Sequence, residues 1–316
     1  MSLAATTSTA LHRIPTLDLQ DPQFSSRMGA AAEDYGFAKL TGHGISPAVV
    51  GETLRAAADF FARSEDEKRL VQDKRNNRGF IPMFDGVSAD GTPNGHEAFS
   101  MGHPVRPSDP ALLDLPFYAE TPWPDRPGFR PALEACYAGL FGLGQKVLEA
   151  LAVRLSAAPD FFERLSQNTY SNMRVIHYPP SEAVAGVTDV GVRPHEDQGL
   201  ITLLIQDMNG GLEVRGPDGE WLPVVPEPDT VVINVGKLLT RWTNGRFKSA
   251  LHRVINRSGN ERYSIPLFVH PNFHQTIDPR DFTPAGAPLK FEPIVAGEQV
   301  YANFAKQRVS WTKPAG

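Results

Sequence analysis

RPHEDQGLITLLIQD, residues 193–207, sets a histidine and an aspartate, His195 and Asp197, at the entrance to an apolar run that reads as a buried strand. It belongs to a series. MRVIHYPP (173–180) precedes it, and GLEVRG (211–216), WLPVVP (221–226), TVVINVG (230–236), HRVIN (252–256) and RYSIPLFVH (262–270) follow. These β-rich runs recur at intervals of about ten residues, punctuated by the turn signals NGG, PDGE, EPD, TNGR and RSGN. Short strands at that spacing predict a double-sheet jelly roll or a barrel over residues 166–316.

Upstream, residues 1–165 read as a mixed region with a helical bias. Helical spacing predicts helices near 24–35, 49–61 and 131–157, with a shorter one at 159–165. Ser46-Pro47 is an N-cap followed by proline at the first helical position. Between them, GFAKL reads as a strand. Residues 75–130 are rich in Gly, Pro, Asn and Asp and read as loops and short strands. Long loops in a compact domain are commonly binding loops, so Phe80, Phe84 and Phe99 are candidates to cover a site. No linker separates the halves, so the expected fold is mainly β with flanking helices, packed as one unit.

Composition narrows the function. Hydrophobic residues make up 41% and charged residues 21%, enough for a large core without staples. A net charge of −5 with no basic stripe argues against a nucleic-acid partner. The one cysteine, Cys136, sits in an apolar helical stretch and reads as core; a lone cysteine fits a reducing compartment. The first ten residues lack the pattern of a signal peptide, and no run of eighteen apolar residues marks a membrane span. A cytoplasmic protein with a small-molecule substrate is the expectation.

His195 and Asp197 are two apart, so on a strand both face one side while Glu196 faces away. About fifty-five residues later comes His252, far enough for the chain to travel several strands and return. Two imidazoles and a carboxylate on one side of an ion leave three octahedral positions open, which suits Fe(II) and dioxygen; zinc or another divalent ion could also occupy such a triad. Arg262 and Ser264 share a face by the same alternation and form a bidentate carboxylate receptor. Arg174, Ile176 and Tyr178 share a face of another strand, and the Tyr178 phenol can add a third hydrogen bond. Phe268 and His270 continue the Ser264 face and either line the pocket or pack in the core. His43, in a glycine-rich turn, reads as positioning backbone. His177 points opposite to Tyr178, toward packing or solvent. The terminal stretch YANFAKQRVSWTKPAG is a candidate to fold back over the barrel mouth, with Trp311 anchoring the tail.

The order H-x-D, about fifty-five residues, H, then R-x-S resembles the isopenicillin N synthase-like family of iron(II)/2-oxoglutarate dioxygenases. IPTLDL, YGFAKLTGHGIS, HYPP, the apolar run after His195 and NVG before His252 match that family in order, over about residues 13–275. The resemblance implies a double-stranded β-helix core with His195, Asp197 and His252 as iron ligands. It implies that Arg262 and Ser264, assisted by Tyr178, bind the distal carboxylate of 2-oxoglutarate. It also implies that dioxygen and 2-oxoglutarate are consumed while a small organic substrate is hydroxylated or desaturated. Many plant relatives carry Asn-Tyr-Tyr where this chain has Ile176-His177-Tyr178; the missing asparagine removes a polar contact near the iron-bound end of the cosubstrate, for which Arg174 is a candidate replacement. Three rivals remain open at this point: an oxidase without 2-oxoglutarate, an enzyme fragmenting 2-oxoglutarate to ethylene, and a non-catalytic ligand-binding barrel.

Overall fold

Alternation along the strand Arg262–Val269 divides the molecule into two cores. Ile265, Leu267 and Val269 point one way, and Arg262 and Ser264 point the other. The computed structural model describes residues 14–306 except 75, 77, 87–90, 92, 116 and 181–190. Within it that strand lies at the centre of a nine-stranded sheet. Its order is Thr16–Asp18, Phe37–Thr41, Val231–Val235, Ile201–Gln206, Arg262–Val269, Asn172–Tyr178, Glu97–Gly102, Arg78–Ile81 and Gln72–Asp73. The first pair is parallel and the other neighbours are antiparallel. A smaller sheet runs Trp221–Pro223, Leu212–Arg215, His252–Ile255, Gly191–His195.

The two faces of the large sheet have different partners. On one side Leu203, Ile205, Ile233, Ile265, Leu267, Met173 and Val175 form a core with the helices. On the other, Phe37, Ala98, Ile176, Tyr178 and Val232 pack on Leu212, Val214 and Val254 of the small sheet. Stacking of two sheets over one interior is the arrangement that the strand spacing predicts. The long helix Phe129–Arg154 carries the buried Cys136 and lies against the sheet at Gly144, where a Cβ would meet Leu203 at 3.1 Å and Val269 at 3.2 Å. Ser46 caps the helix Pro47–Phe61, its hydroxyl accepting from the Ala48 N–H at 3.2 Å. No helix among the described residues is long and apolar enough to cross a membrane.

Five of the nine strands come from residues before 165, two of them from the stretch expected to be mostly loop. This corrects the placing of two phenylalanines. Phe99 pairs with Val175 and Phe80 with Phe99, on the helical side of the sheet. Both are buried, Phe99 against Phe60, Trp123 and Phe129 and Phe80 against Phe60, and neither lines the interior. Phe84, in the turn that follows Arg78–Ile81, is exposed with φ +64° rather than folded over the interior. His177 is also on the helical side. It stacks between Phe61 and Tyr263, and its Nδ1 hydrogen-bonds Glu97 at 2.9 Å, while Glu97 pairs with Lys68 at 2.6 Å. His43 hydrogen-bonds the Ile45 N–H and the Asp229 carbonyl, holding backbone as its glycine-rich setting suggests.

Candidate metal centre

The small sheet brings the two histidines together. His195 ends the strand Gly191–His195 and His252 begins the strand His252–Ile255; the two are register partners with ring centroids 4.3 Å apart. Asp197 is not on the same strand as His195, contrary to the simple alternation argument. It lies in the bend that carries the chain from the small sheet to Ile201–Gln206 of the large one. The Lys237 N–H donates to the Asp197 carbonyl at 2.8 Å, and Gly236 to the Leu200 carbonyl at 2.8 Å. A Cβ on Gly236 would stand 2.2 Å from the Gly199 oxygen, and one on Gly199 would stand 2.7 Å from the Val269 oxygen, so the bend fits here because neither position carries a side chain. One ligand atom from each of His195, Asp197 and His252 then falls within 4.8 Å of the others. Nε2 of His195 is 3.7 Å from Asp197 Oδ1, and Nε2 of His252 is 3.8 Å from Oδ2.

Hydrogen bonds set each ligand's protonation. His195 Nδ1 lies 2.8 Å from the Arg193 carbonyl and His252 Nδ1 lies 2.9 Å from the Ala250 carbonyl. A carbonyl can only accept, so both Nδ1 atoms carry hydrogen and both Nε2 lone pairs face the centre. Desolvation, with repulsion from His252, holds the His195 imidazolium form well below its ordinary range. Burial alone would push the Asp197 carboxyl up. The two imidazoles and the hydrogen bonds from Thr202 (2.6 Å) and Asn234 (2.8 Å) outweigh it, and the carboxyl sits below its usual value. At neutral pH Asp197 is therefore a carboxylate and the His195 imidazole is neutral; with His252 Nε2 on the same centre, two nitrogen donors and one carboxylate form a set that fits Fe(II).

Thr202 and Asn234 escaped the sequence reading. Each is a polar residue inside an otherwise apolar buried strand, and that interruption was the available signal. Because both grip Oδ2, Thr202→Val and Asn234→Leu are each expected to weaken divalent-metal binding by about 10- to 100-fold. Anaerobic titration of Fe(II) or Mn(II) checks this; unchanged affinity would mean that Asp197 holds its rotamer without them.

Along the interior face, Arg262 is fully buried. Its Nε donates to the Gly210 carbonyl and its guanidinium lies 4.7 Å over the Tyr178 ring, but Nη1 and Nη2 have no partner. Ser264 is buried one step along the same face, opposite Ile176. Arg174 is not part of that cluster. It stands opposite Ser100, and its guanidinium lies 5.5 Å from the rings of both Phe268 and Phe304. Burial pushes the His270 imidazole down to about 3, helped by Arg78 and Arg174 and opposed by Asp197; the neutral ring stacks on Tyr170 at 4.5 Å. The C-terminal helix Ala296–Lys306 folds back here, with Asn303 Nδ2 donating to Gln198 Oε1 at 2.8 Å and Phe304 against Phe117. Trp311 lies outside the described residues.

Comparison with known proteins identifies the architecture. Residues 169–271 match the model of the 2OG-Fe(II) oxygenase superfamily, and residues 14–126 that of the non-haem dioxygenase in morphine synthesis N-terminal region. The 2-oxoglutarate-dependent dioxygenase citB of Monascus ruber is 35% identical over 289 residues, covering 85% of this chain and 88% of that protein. A 2OG-Fe(II) oxygenase family protein from Caulobacter crescentus superposes with a TM-score of 0.81 at 33% identity, covering 93% and 98% of the two chains. T7H of Neurospora crassa, solved with alpha-KG and thymine, superposes with a TM-score of 0.80 at 26% identity, covering 93% and 96%. With its jelly-roll core and its His-Asp-His cluster, this chain belongs to the 2OG-Fe(II) oxygenase superfamily and is an Fe(II)- and 2-oxoglutarate-dependent oxygenase.

Proposed function

We propose that His195 and His252, through Nε2, and Asp197, through its carboxylate, hold the iron, and that Arg262 receives the distal carboxylate of 2-oxoglutarate. Ser264 and Tyr178 complete that receptor. The observation that carries the reading is the pair of unpartnered Arg262 nitrogens, buried on the interior face that the metal cluster closes. A buried guanidinium with a free edge is costly unless an anion meets it, and a carboxylate meets two N–H groups at once. Bound iron with 2-oxoglutarate supplies dioxygen activation coupled to oxidative decarboxylation. The chain's own part is positional. Thr202 and Asn234 fix Asp197, the Arg193 and Ala250 carbonyls fix the imidazoles, and the helix Ala296–Lys306 with Phe304 shields the mouth from water.

In this reading a small organic molecule is hydroxylated or desaturated at a carbon facing the iron. Strands from both halves of the chain are hydrogen-bonded neighbours, which supports residues 1–165 and 166–316 acting as one catalytic unit. The buried lone thiol of Cys136 is compatible with a reducing, cytoplasmic setting. Adding 2-oxoglutarate to the anaerobic Fe(II) protein should produce a visible metal-to-ligand charge-transfer band, and admitting air should release succinate. Absence of both would sink the assignment of Arg262 to the cosubstrate.

A further inference from the structure

The ladder between the two histidine strands is irregular where it carries the ligands. Val192 pairs with Val254 and His195 with His252, so three steps on one strand answer two on the other and the chain bulges between them. Pro194, inside that bulge, has no N–H to give, and the Arg193 carbonyl is taken by His195 Nδ1. Backbone pairing is therefore weakest at the level of His195 and His252. The strand ends at His195, so the ladder does not extend to Asp197.

Glu196, between two ligands and outside their cluster, supplies a tie across this gap. Its Oε1 accepts from the Ser249 hydroxyl, and its Oε2 pairs with Lys237 Nζ at 3.1 Å. Ser249 precedes Ala250, whose carbonyl holds the His252 imidazole, and Lys237 is the residue whose N–H holds the Asp197 carbonyl. One carboxylate thus joins the three stretches of chain that carry or orient the whole cluster. Its anchor is itself pinned, because the Lys248 N–H donates to the Ala32 carbonyl of the first helix at 2.9 Å. On its other flank, Gln198 Nε2 donates to the Glu196 carbonyl at 3.2 Å, and Gln198 Oε1 accepts from Asn303. The two contacts of the carboxylate differ in weight. Lys237 is half exposed, and an ion pair in water contributes little, whereas the Ser249 bond is partly buried and spans the gap between ligand segments. Resting on the reading that His195, Asp197 and His252 hold the iron, we propose that Glu196 is a positioning residue for the metal centre, fixing His252 relative to His195 and Asp197 through Ser249.

The test is anaerobic titration of the full chain with Mn(II) and with Co(II), whose visible ligand-field bands report the geometry of its donors. Glu196→Ala and Ser249→Ala should each weaken Mn(II) binding by roughly 10-fold, the lower end for a group that orients ligands, and should shift the Co(II) bands. The double variant should be no worse than Glu196→Ala alone, since the two residues share one bond. Glu196→Gln still offers Ser249 an acceptor and loses only the charge facing Lys237, so it should stay within about threefold of the wild type. Melting curves report folding; if Glu196→Ala does not fold, Ser249→Ala against Glu196→Gln makes the same comparison. Wild-type affinity and unshifted Co(II) bands in Glu196→Ala overturn the proposal, even with a lowered melting temperature, because a merely structural tie would behave that way. Glu196→Gln as damaging as Glu196→Ala also overturns it, since charge rather than position would then be at work. A wild type that takes up neither metal, or whose affinity survives His195→Ala, defeats the ligand reading and the positioning role together. Metal lost in His195→Ala but kept in Glu196→Ala and Ser249→Ala defeats the positioning role alone.

Discussion

Alanine at His252 is expected to strip the protein of iron and end turnover of 2-oxoglutarate, while the fold persists. Loss of a hydrogen-bond partner behind a ligand already costs about 10- to 100-fold in metal affinity, so loss of a ligand should cost more. No spare donor stands nearby to substitute: among the described residues the cluster consists of His195, Asp197 and His252. Phe37 packs edge-on against the His252 ring at 5.7 Å, so truncation also leaves a small void, costing about 1–3 kcal/mol of stability. That is enough to lower the melting temperature but not to unfold a sheet of this size. Iron per chain after desalting, measured beside succinate release, reads the two effects separately. Stoichiometric iron in His252→Ala would place the metal elsewhere.

What could be read from the residues was whatever alternation and turn chemistry encode locally. Seven β-rich runs between 173 and 270 became strands because each is a short apolar stretch bounded by turn formers. The same rule placed Arg262 and Ser264 on one interior face correctly. It misplaced His195 and Asp197 on a single strand, because the crossing between sheets is made by the close approach of Gly199 and Gly236, a contact between distant residues. It also left Phe80 and Phe99 among the wall candidates. A stretch dense in glycine and proline hides two strands whose pairing partner, Asn172–Tyr178, lies far along the chain, and the partner decides the face. Arg174 was assigned near the cosubstrate by its shared face with Tyr178. The face is right, but the side chain leans toward Phe268 and Phe304, and Phe304 arrives from the C-terminal helix. Tertiary neighbours of this kind leave no periodic signal.

Arg262 offers the other large effect, and its two consequences should have opposite signs. In the metal-free protein the guanidinium is buried with two nitrogens unpartnered, a desolvation cost offset in part by the Gly210 carbonyl and the Tyr178 ring. Methionine has similar length and no charge, so Arg262→Met should leave the cosubstrate-free protein at least as stable as the wild type. The same change removes one partner of a buried charge pair from the complex. Such losses run to about 2–5 kcal/mol, which predicts a fall in 2-oxoglutarate affinity of roughly 30- to several-thousand-fold. Lysine should fall between, keeping the charge and losing the two-pronged contact. Saturating 2-oxoglutarate should therefore raise the melting temperature of the wild type, through preferential binding to the folded state, and leave that of Arg262→Met unmoved. A structural arginine would give the reverse pattern, with a much lower melting temperature and unchanged cosubstrate affinity. Stability that is held in reserve at Arg262 until an anion arrives is the physical meaning of its buried, unfinished hydrogen bonds.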